Sequence, residues 1–406
     1  MERYSEYKDS GEQWLGEIPR HWEVKRWHVL MNENTEQNIN CSVTKQLQFK
    51  YGSIIEKDNQ DEDKDVLETI SKYLVVKPGD IMLNGLNLNY DFVSQRVGQV
   101  TQNGVITSAY ICLRSTGRAK EKYLLYLLKA MDSQKLFHGM GTGVRLTLSY
   151  KELKNVNLVL PSLPEQSAIV TYLDRVTSQL DEAIAQQQRM IDLLNERKQI
   201  IIQHAVTKGL DPKAEMVDSG VEWIGKMPKG WKLIKIKYLA KLQSGSNLTS
   251  LEISDSGEVP VYGGNGLRGY YNRYNCDGTY VLIGRQGALC GNINYGKGKF
   301  WATEHAVVCH PKMNYKTLWF GEVLRVMNLG QYSQASAQPG LAVEKINNLV
   351  LPCPLLEEQD VISSYLEKEI SVFNDGIQKC INRITLLRER KQIIINEVVT
   401  GKVKVS

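Results

Sequence analysis

No stretch of this chain approaches the roughly 20 consecutive apolar residues that a membrane-crossing helix needs. The first residues, Met1-Glu2-Arg3-Tyr4-Ser5-Glu6-Tyr7-Lys8, lack the apolar core of a secretion signal. Cysteine is sparse: seven in 406 residues, an odd number, with none in a Cys-x-x-Cys spacing. A disulfide framework is therefore not expected, and a reduced, cytoplasmic setting is. Charge of one sign is also missing. Lys and Arg number 50 against 45 Asp and Glu, a net charge of +5, and the sequence pI is near 8.6. Dedicated nucleic-acid-binding domains often exceed a pI of about 9, so any basic surface here must be local. The length suffices for two or three domains, each with its own core.

Catalytic signatures are lacking too. Gly264-Asn265-Gly266-Leu267-Arg268-Gly269 fits a dinucleotide-binding string, but Tyr270-Tyr271-Asn272-Arg273 follows where a helix is required. Gly291 to Gly298 comes close to a phosphate-binding loop, yet it has neither the Ser/Thr that holds Mg²⁺ nor a following helix. Gly139-Met140-Gly141-Thr142-Gly143 resembles a methyltransferase cofactor loop but follows a helix rather than a strand, and no Asn-Pro-Pro-aromatic string occurs. Glu152-Leu153-Lys154 fits half of a nuclease signature and reads better as an exposed turn before a strand. His305, Cys309 and His310 find no fourth ligand at a recognisable metal spacing. A chain of this size without a chemical centre points to binding.

What is present is duplication. Asp9-Ser10-Gly11, Trp14, Gly16, Pro19 and Trp22 recur without a gap as Asp218-Ser219-Gly220, Trp223, Gly225, Pro228 and Trp231. Leu158-Val159-Leu160-Pro161 with Glu165-Gln166 recurs as Leu349-Val350-Leu351-Pro352 with Glu358-Gln359. Glu196-Arg197-Lys198-Gln199 recurs as Glu389-Arg390-Lys391-Gln392. Between the last two motifs each copy reads as one long, proline-free helix with acidic residues at its start.

The apolar positions step by four and three. Leu173, Thr177, Leu180, Ile184, Gln187, Ile191, Leu194, Lys198, Ile201 and Ala205 form one seam. Leu366, Ile370, Phe373, Ile377, Cys380, Ile384, Leu387, Lys391, Ile394 and Val398 form the other. This is a heptad seam, and about 43 residues give helices of roughly 65 Å. The two seams can bury each other. Parallel and antiparallel pairing are both open in principle, and the antiparallel one, which makes the halves equivalent about a pseudo-twofold axis, is expected. Lys198 and Lys391 should then lie near helix ends or meet carboxylates.

The expected class is α+β: two globular mixed domains separated by two long helices that form an antiparallel intramolecular coiled coil. The boundaries read as a first domain over 1–160, a helix over 161–208, a second domain over 209–351, and a second helix with tail over 352–406. Both domains carry extended runs (Gln46–Tyr51, Val259–Tyr262), a turn and strand (Lys77–Leu83, Cys276–Ile283), then one amphipathic helix (Glu121–Met131, Thr317–Met327).

Their turn-rich stretches hold side chains that read base edges, Arg for guanine and Asn or Gln for adenine. The candidates are Asn265, Arg268, Tyr270, Arg273, Arg285, Gln286 and Gln338 in the second domain, and Asn84, Asn87, Asn89, Arg96 and Arg145 in the first. Lys50, Lys57, Lys297 and Lys299 are suited to phosphates, which position without specifying. Taken singly, each is equally an ordinary polar loop residue.

At this point the chain resembles the specificity subunits of type I restriction–modification systems. The resemblance is carried by the doubled Asp-Ser-Gly…Trp…Gly…Pro…Trp segment, the Glu-Gln helix starts and the Leu-x-Glu-Arg-Lys-Gln-Ile helix ends. Tyr280 to Gly287 and Thr303-Glu304-His305-Ala306 carry it too. It covers essentially the whole chain and is weaker in the first domain, where Asn84 stands in place of Gly284-Arg285. It implies a non-catalytic, double-stranded-DNA-reading subunit whose two domains each read half of a bipartite target, with the helix pair setting the spacer. It further implies two modification subunits for adenine methylation and restriction subunits for cleavage. S-adenosylmethionine, ATP and Mg²⁺ would bind those partners and no cofactor would bind this chain. The competing reading is a coiled-coil adaptor that binds proteins only.

Overall fold

The computed structural model describes residues 2–57, 64–88, 95–143, 146–287, 289–333 and 340–405. The chain is an α+β protein with two compact units. One comprises Met1–Gln187 with Arg383–Ser406, the other Gln188–Asn382.

In the first unit, β1 (Met31–Glu33), β2 (Ile81–Leu83), β3 (Val97–Gln99) and β4 (Ile111–Ser115) form an antiparallel sheet of order β1-β4-β2-β3. The strands are short because turn formers cut them. Lys77-Pro78-Gly79-Asp80 separates β2 from Leu74–Val76, which pairs instead with Gly104–Ile106. Helix α1 (Glu121–Ser133) packs Tyr123, Leu124, Leu127 and Leu128 into the core.

Helix α2 (Leu163–Lys208) is 46 residues long, or about 69 Å. In the second unit, β5 (Ala240–Ser244), β6 (Val259–Gly263), β7 (Gly266–Tyr271), β8 (Cys276–Gly284), β9 (Ile293–Ala302) and β10 (Ala306–Pro311) make one sheet of order β5-β10-β8-β9-β6-β7. Its named pairings are antiparallel except β6 with β9. Period-two alternation puts Val281 and Ile283 on the face packed against helix α3 (Thr317–Val326), whereas Leu282 faces a separate small core with Phe300 and Val308. Helix α4 (Leu356–Val399) spans 44 residues.

Both long helices contribute to both units, and within each unit they pair antiparallel. In the first unit, Trp22 touches both the beginning of α2, through Glu165, and the chain just after α4, near Gly401, while Asp181 meets Lys391 further along. In the second unit Lys198 bonds Asn374, and Gly209 lies near Glu358. Thirteen apolar seam residues are all buried or half-buried: Leu173, Leu180, Ile184, Ile191, Leu194, Ile201, Leu366, Ile370, Phe373, Ile377, Ile384, Leu387 and Ile394. Lys391 finds a carboxylate at 2.7 Å. Lys198 instead finds the Asn374 amide at 3.1 Å.

The sequence repeats are joints. Trp22 Nε1 donates to Glu165 at 3.2 Å, and Trp231 Nε1 donates to Glu358 at 2.9 Å. The neighbouring Gln166 and Gln359, 1% and 3% exposed, accept the Lys120 and Lys316 backbone N–H that open α1 and α3. Each Gln also donates to a proline carbonyl before its own helix, Pro161 or Pro354. Tryptophan and Glu-Gln thus recur together because they close one contact. One local expectation changes: Tyr150–Leu153 is a one-turn helix rather than a turn, because Ser149 and Glu152 form a capping box.

Candidate nucleic-acid interface

The second unit gathers several of the sequence candidates at one end of its sheet. The β6–β7 hairpin turns through Gly263-Gly264-Asn265-Gly266, and its backbone is pressed against the end of β8. A Cβ placed on Gly284 would come 2.1 Å from the Gly264 carbonyl, and one on Gly264 would come 3.2 Å from that of Gln286. Asn265, exposed at the tip, accepts a hydrogen bond from Asn292 Nδ2 at 3.0 Å. The Arg268 stem crosses Gly263, whose Cβ would come 2.4 Å from Arg268 Cδ. Arg285 is half-buried and donates from Nη1 to Ser244 at 3.2 Å, while its backbone N–H bonds the His305 carbonyl. Gln286 is exposed and bridges Gly340. Asn265, Arg268, Arg285 and Gln286 therefore share a surface.

Tyr270 and Arg273 do not join them. Tyr270 sits further along β7, its backbone tied to Ser254, and Arg273 lies in the loop that leads to the opposite end of β8. Lys297 and Lys299 are at that far end, paired with Thr279 and Asp277. Five and seven residues of strand, about 17 and 23 Å, separate these partners from Gly284. There Lys299 Nζ stands 4.8 Å over the Tyr274 ring. This end offers exposed positive charge, and the hairpin end offers amides and guanidinium groups.

The first unit uses its candidates differently. Arg96 is 7% exposed, and its guanidinium donates to the backbone carbonyls of Asn84, Leu86 and Asn87 at 2.8–3.1 Å. It clamps a loop from inside, which removes it from the base-reading set. Asn84 Oδ1 accepts the Leu86 N–H in an Asx turn. Asn87 is exposed with φ of 50°, a left-handed conformation that Asn tolerates. Asn89, Arg145 and Gln338 lie outside the described residues.

The rejected motifs find structural uses. The Gly264–Gly269 string is a hairpin, and most of Gly291–Gly298 runs into β9. Cys309 is fully buried, which pushes its thiol up, while His305 pairs with Glu304 at 3.1 Å and His310 packs on Tyr280. Among the described residues no group of three His, Cys, Asp or Glu is placed to hold a metal ion, and no helix is long and apolar enough to cross a membrane. Sequence reasoning missed Asn292 and Ser244, which orient Asn265 and Arg285. Neither stands near its partner in the chain, so no local signal marked them.

Comparison with known proteins agrees with this architecture. Residues 34–190 and 228–386 each match the type I restriction modification DNA specificity domain. The specificity subunit of the type I restriction enzyme EcoprrI from Escherichia coli is 44% identical over 134 residues, which cover 32% of this chain and 33% of that one. The specificity subunit of the type I restriction enzyme MjaVIII from Methanocaldococcus jannaschii is 23% identical over 82% of this chain and 81% of its own. A chain solved in work on assembly and conformational transition of the type I R-M system shares the fold, with a TM-score of 0.70 at 14% identity over 95% of this chain and 99% of that one. The chain carries two copies of a domain that defines one family, and it belongs to the specificity subunits of type I restriction–modification systems.

Proposed function

We propose that each recognition domain reads one half of a bipartite sequence in double-stranded DNA, and that the chain carries out no chemistry itself. The observation that carries this reading is the pairing of like with unlike. The joints made by Trp22 with Glu165 and Trp231 with Glu358 are the same in both units, whereas the sheets they support differ in strand number and in exposed polar residues. A frame kept constant around two dissimilar heads suits a reader of two different half-sites. An adaptor that binds proteins only would leave the difference between heads without a use.

The reading heads contact duplex DNA with Asn265, Arg268, Arg285 and Gln286 in the second unit and with Asn87 in the first. Lys297, Lys299 and Arg273 hold phosphates. Two modification subunits dock on the long helices and supply adenine methylation with S-adenosylmethionine and base flipping. Restriction subunits add ATP- and Mg²⁺-dependent cleavage, and the assembly works in the cytoplasm. Two equal docking sites are supported by a duplicated apolar pair: Leu193 and Ile200 on α2, and Leu386 and Ile393 on α4, are all more than half exposed. Exposed apolar pairs repeated on an otherwise polar helix face mark an interaction surface.

Methylome sequencing of the host with and without this gene tests the proposal. The expected result is one bipartite methyladenine motif that vanishes on deletion. An unchanged methylome in a host that expresses the modification subunits would refute it.

A further inference from the structure

We propose that Asn265 reads an adenine in one half-site and that Asn292 is the positioning residue that fixes which way its amide faces. This rests on the DNA-specificity reading above and carries it to the identity of one base.

The orientation follows from obligatory donors. The Ile293 backbone N–H donates to the Asn292 side-chain oxygen at 3.0 Å. A backbone N–H can only donate, so Oδ1 of Asn292 must face it and Nδ2 must face away. That Nδ2 donates to Asn265 at 3.0 Å, so the atom of Asn265 turned toward it is the acceptor Oδ1. Asn265 keeps both Nδ2 hydrogens and one oxygen lone pair. Among the described residues its Nδ2 has no protein partner, and the side chain is exposed.

The hairpin delivers this amide at a fixed place. In Gly263-Gly264-Asn265-Gly266 only Asn265 has a side chain. Gly266 has φ of 96°, a backbone that other residues rarely adopt. Gly264 is wedged between the carbonyls of Gln286 and His305, 3.2 and 3.3 Å from where its Cβ would stand. The turn thus presents one side chain on a backbone held from beneath.

A fixed amide offers a donor beside an acceptor. Adenine presents the complement in the major groove, with N7 accepting and the N6 amine donating. Guanine presents two acceptors there and cytosine a single donor, so each satisfies only half of the amide. Asn292 decides on which side the donor lies.

The test uses the full-length chain and a library of randomised DNA duplexes, with bound sequences read out for wild type and variants. The wild type is expected to select two half-sites. Asn265→Ala should lose roughly 10- to 100-fold discrimination at one adenine position and nowhere else. Asn292→Ala should weaken the same position in part, and the double variant should be no weaker there than Asn265→Ala. Asn292→Asp, whose carboxylate repels Asn265 Oδ1 and turns the amide over, should change the preferred base at that position. The other half-site, unchanged throughout, shows that each variant is folded. Variants that keep the adenine, or that alter both half-sites, overturn the assignment. A wild type that selects two half-sites left untouched by these changes overturns this inference alone. A wild type that selects no sequence overturns the specificity reading, and this inference with it.

Discussion

Glu165 shows how much one side chain can carry. Burial alone would push its carboxyl up, but hydrogen bonds from His21, Ser162 and Trp22 outweigh burial and hold it below the ordinary carboxylate value of 4.5. The stabilisation these bonds give is fully present above that unfolded value. It is lost as pH falls through the lower folded one. Glu165→Gln is expected to cost about 1–3 kcal/mol at neutral pH, read as a lower urea midpoint, and the gap to wild type should close as acidification takes the solution below the ordinary carboxylate value and through the lower folded one. A gap independent of pH would mean that packing, not charge, holds this joint. The sequence signals Glu165 only as an acidic residue at a helix start. Its partners Trp22 and His21 lie more than a hundred positions away, as Asn84, Leu86 and Asn87 lie outside any helical or strand spacing to Arg96. Arg96 reads as a base reader from composition because nothing local distinguishes an arginine that faces DNA from one that clamps a loop.

At the level of elements, the four-three spacing made both helices legible from end to end, and every apolar seam position is at least half-buried. Partner choice was less legible, because a heptad names the buried face but not the register. The two seam lysines show the difference. Lys391 forms a 2.7 Å ion pair with Asp181, whereas the duplicated Lys198 faces Asn374. Burial and the nearby Arg325 lower the Lys198 pKa, with Glu322 opposing them. Asn374→Asp should therefore complete an ion pair that the first unit already has. The expected gain is about 0.5–1 kcal/mol, seen as a higher thermal midpoint and absent when Lys198 is replaced by Met. Asp181→Asn should lose a similar amount. A gain from Asn374→Asp that persists without Lys198 would show that the new carboxylate acts elsewhere. The recognition sheets were legible as strands and turns, but their strand orders were not. β6 pairs in parallel with β9 across a long intervening stretch, and no local pattern encodes a non-local pairing.

For the molecule as a whole, the decisive feature is that each unit closes its own core around its own recognition sheet. In the second unit Trp319, Phe320, Val323 and Leu324 of α3 pack with Ile202, Val206, Ile362 and Leu366 from the two long helices. In the first unit α1 packs in the same manner with Leu173, Leu180, Ile394 and Val398. The seam supplies residues to both cores, while the exposed Asn265, Arg268 and Gln286 of the second unit and Asn87 of the first belong to neither. Recognition should therefore be exchangeable one head at a time. Grafting the β5–β10 sheet and α3 of a relative with a different target onto this frame, with Trp231, Glu358 and Gln359 kept, should replace one half of the methylated motif. The other half should stay as it was, and so should the number of unread bases between the halves, if the proposed division into constant frame and variable heads holds. Sequencing the methylome of a host carrying the graft reads all three quantities at once. If both halves changed together, the heads would not be independent readers, and the separation of constant frame from variable head would be the wrong division of this chain.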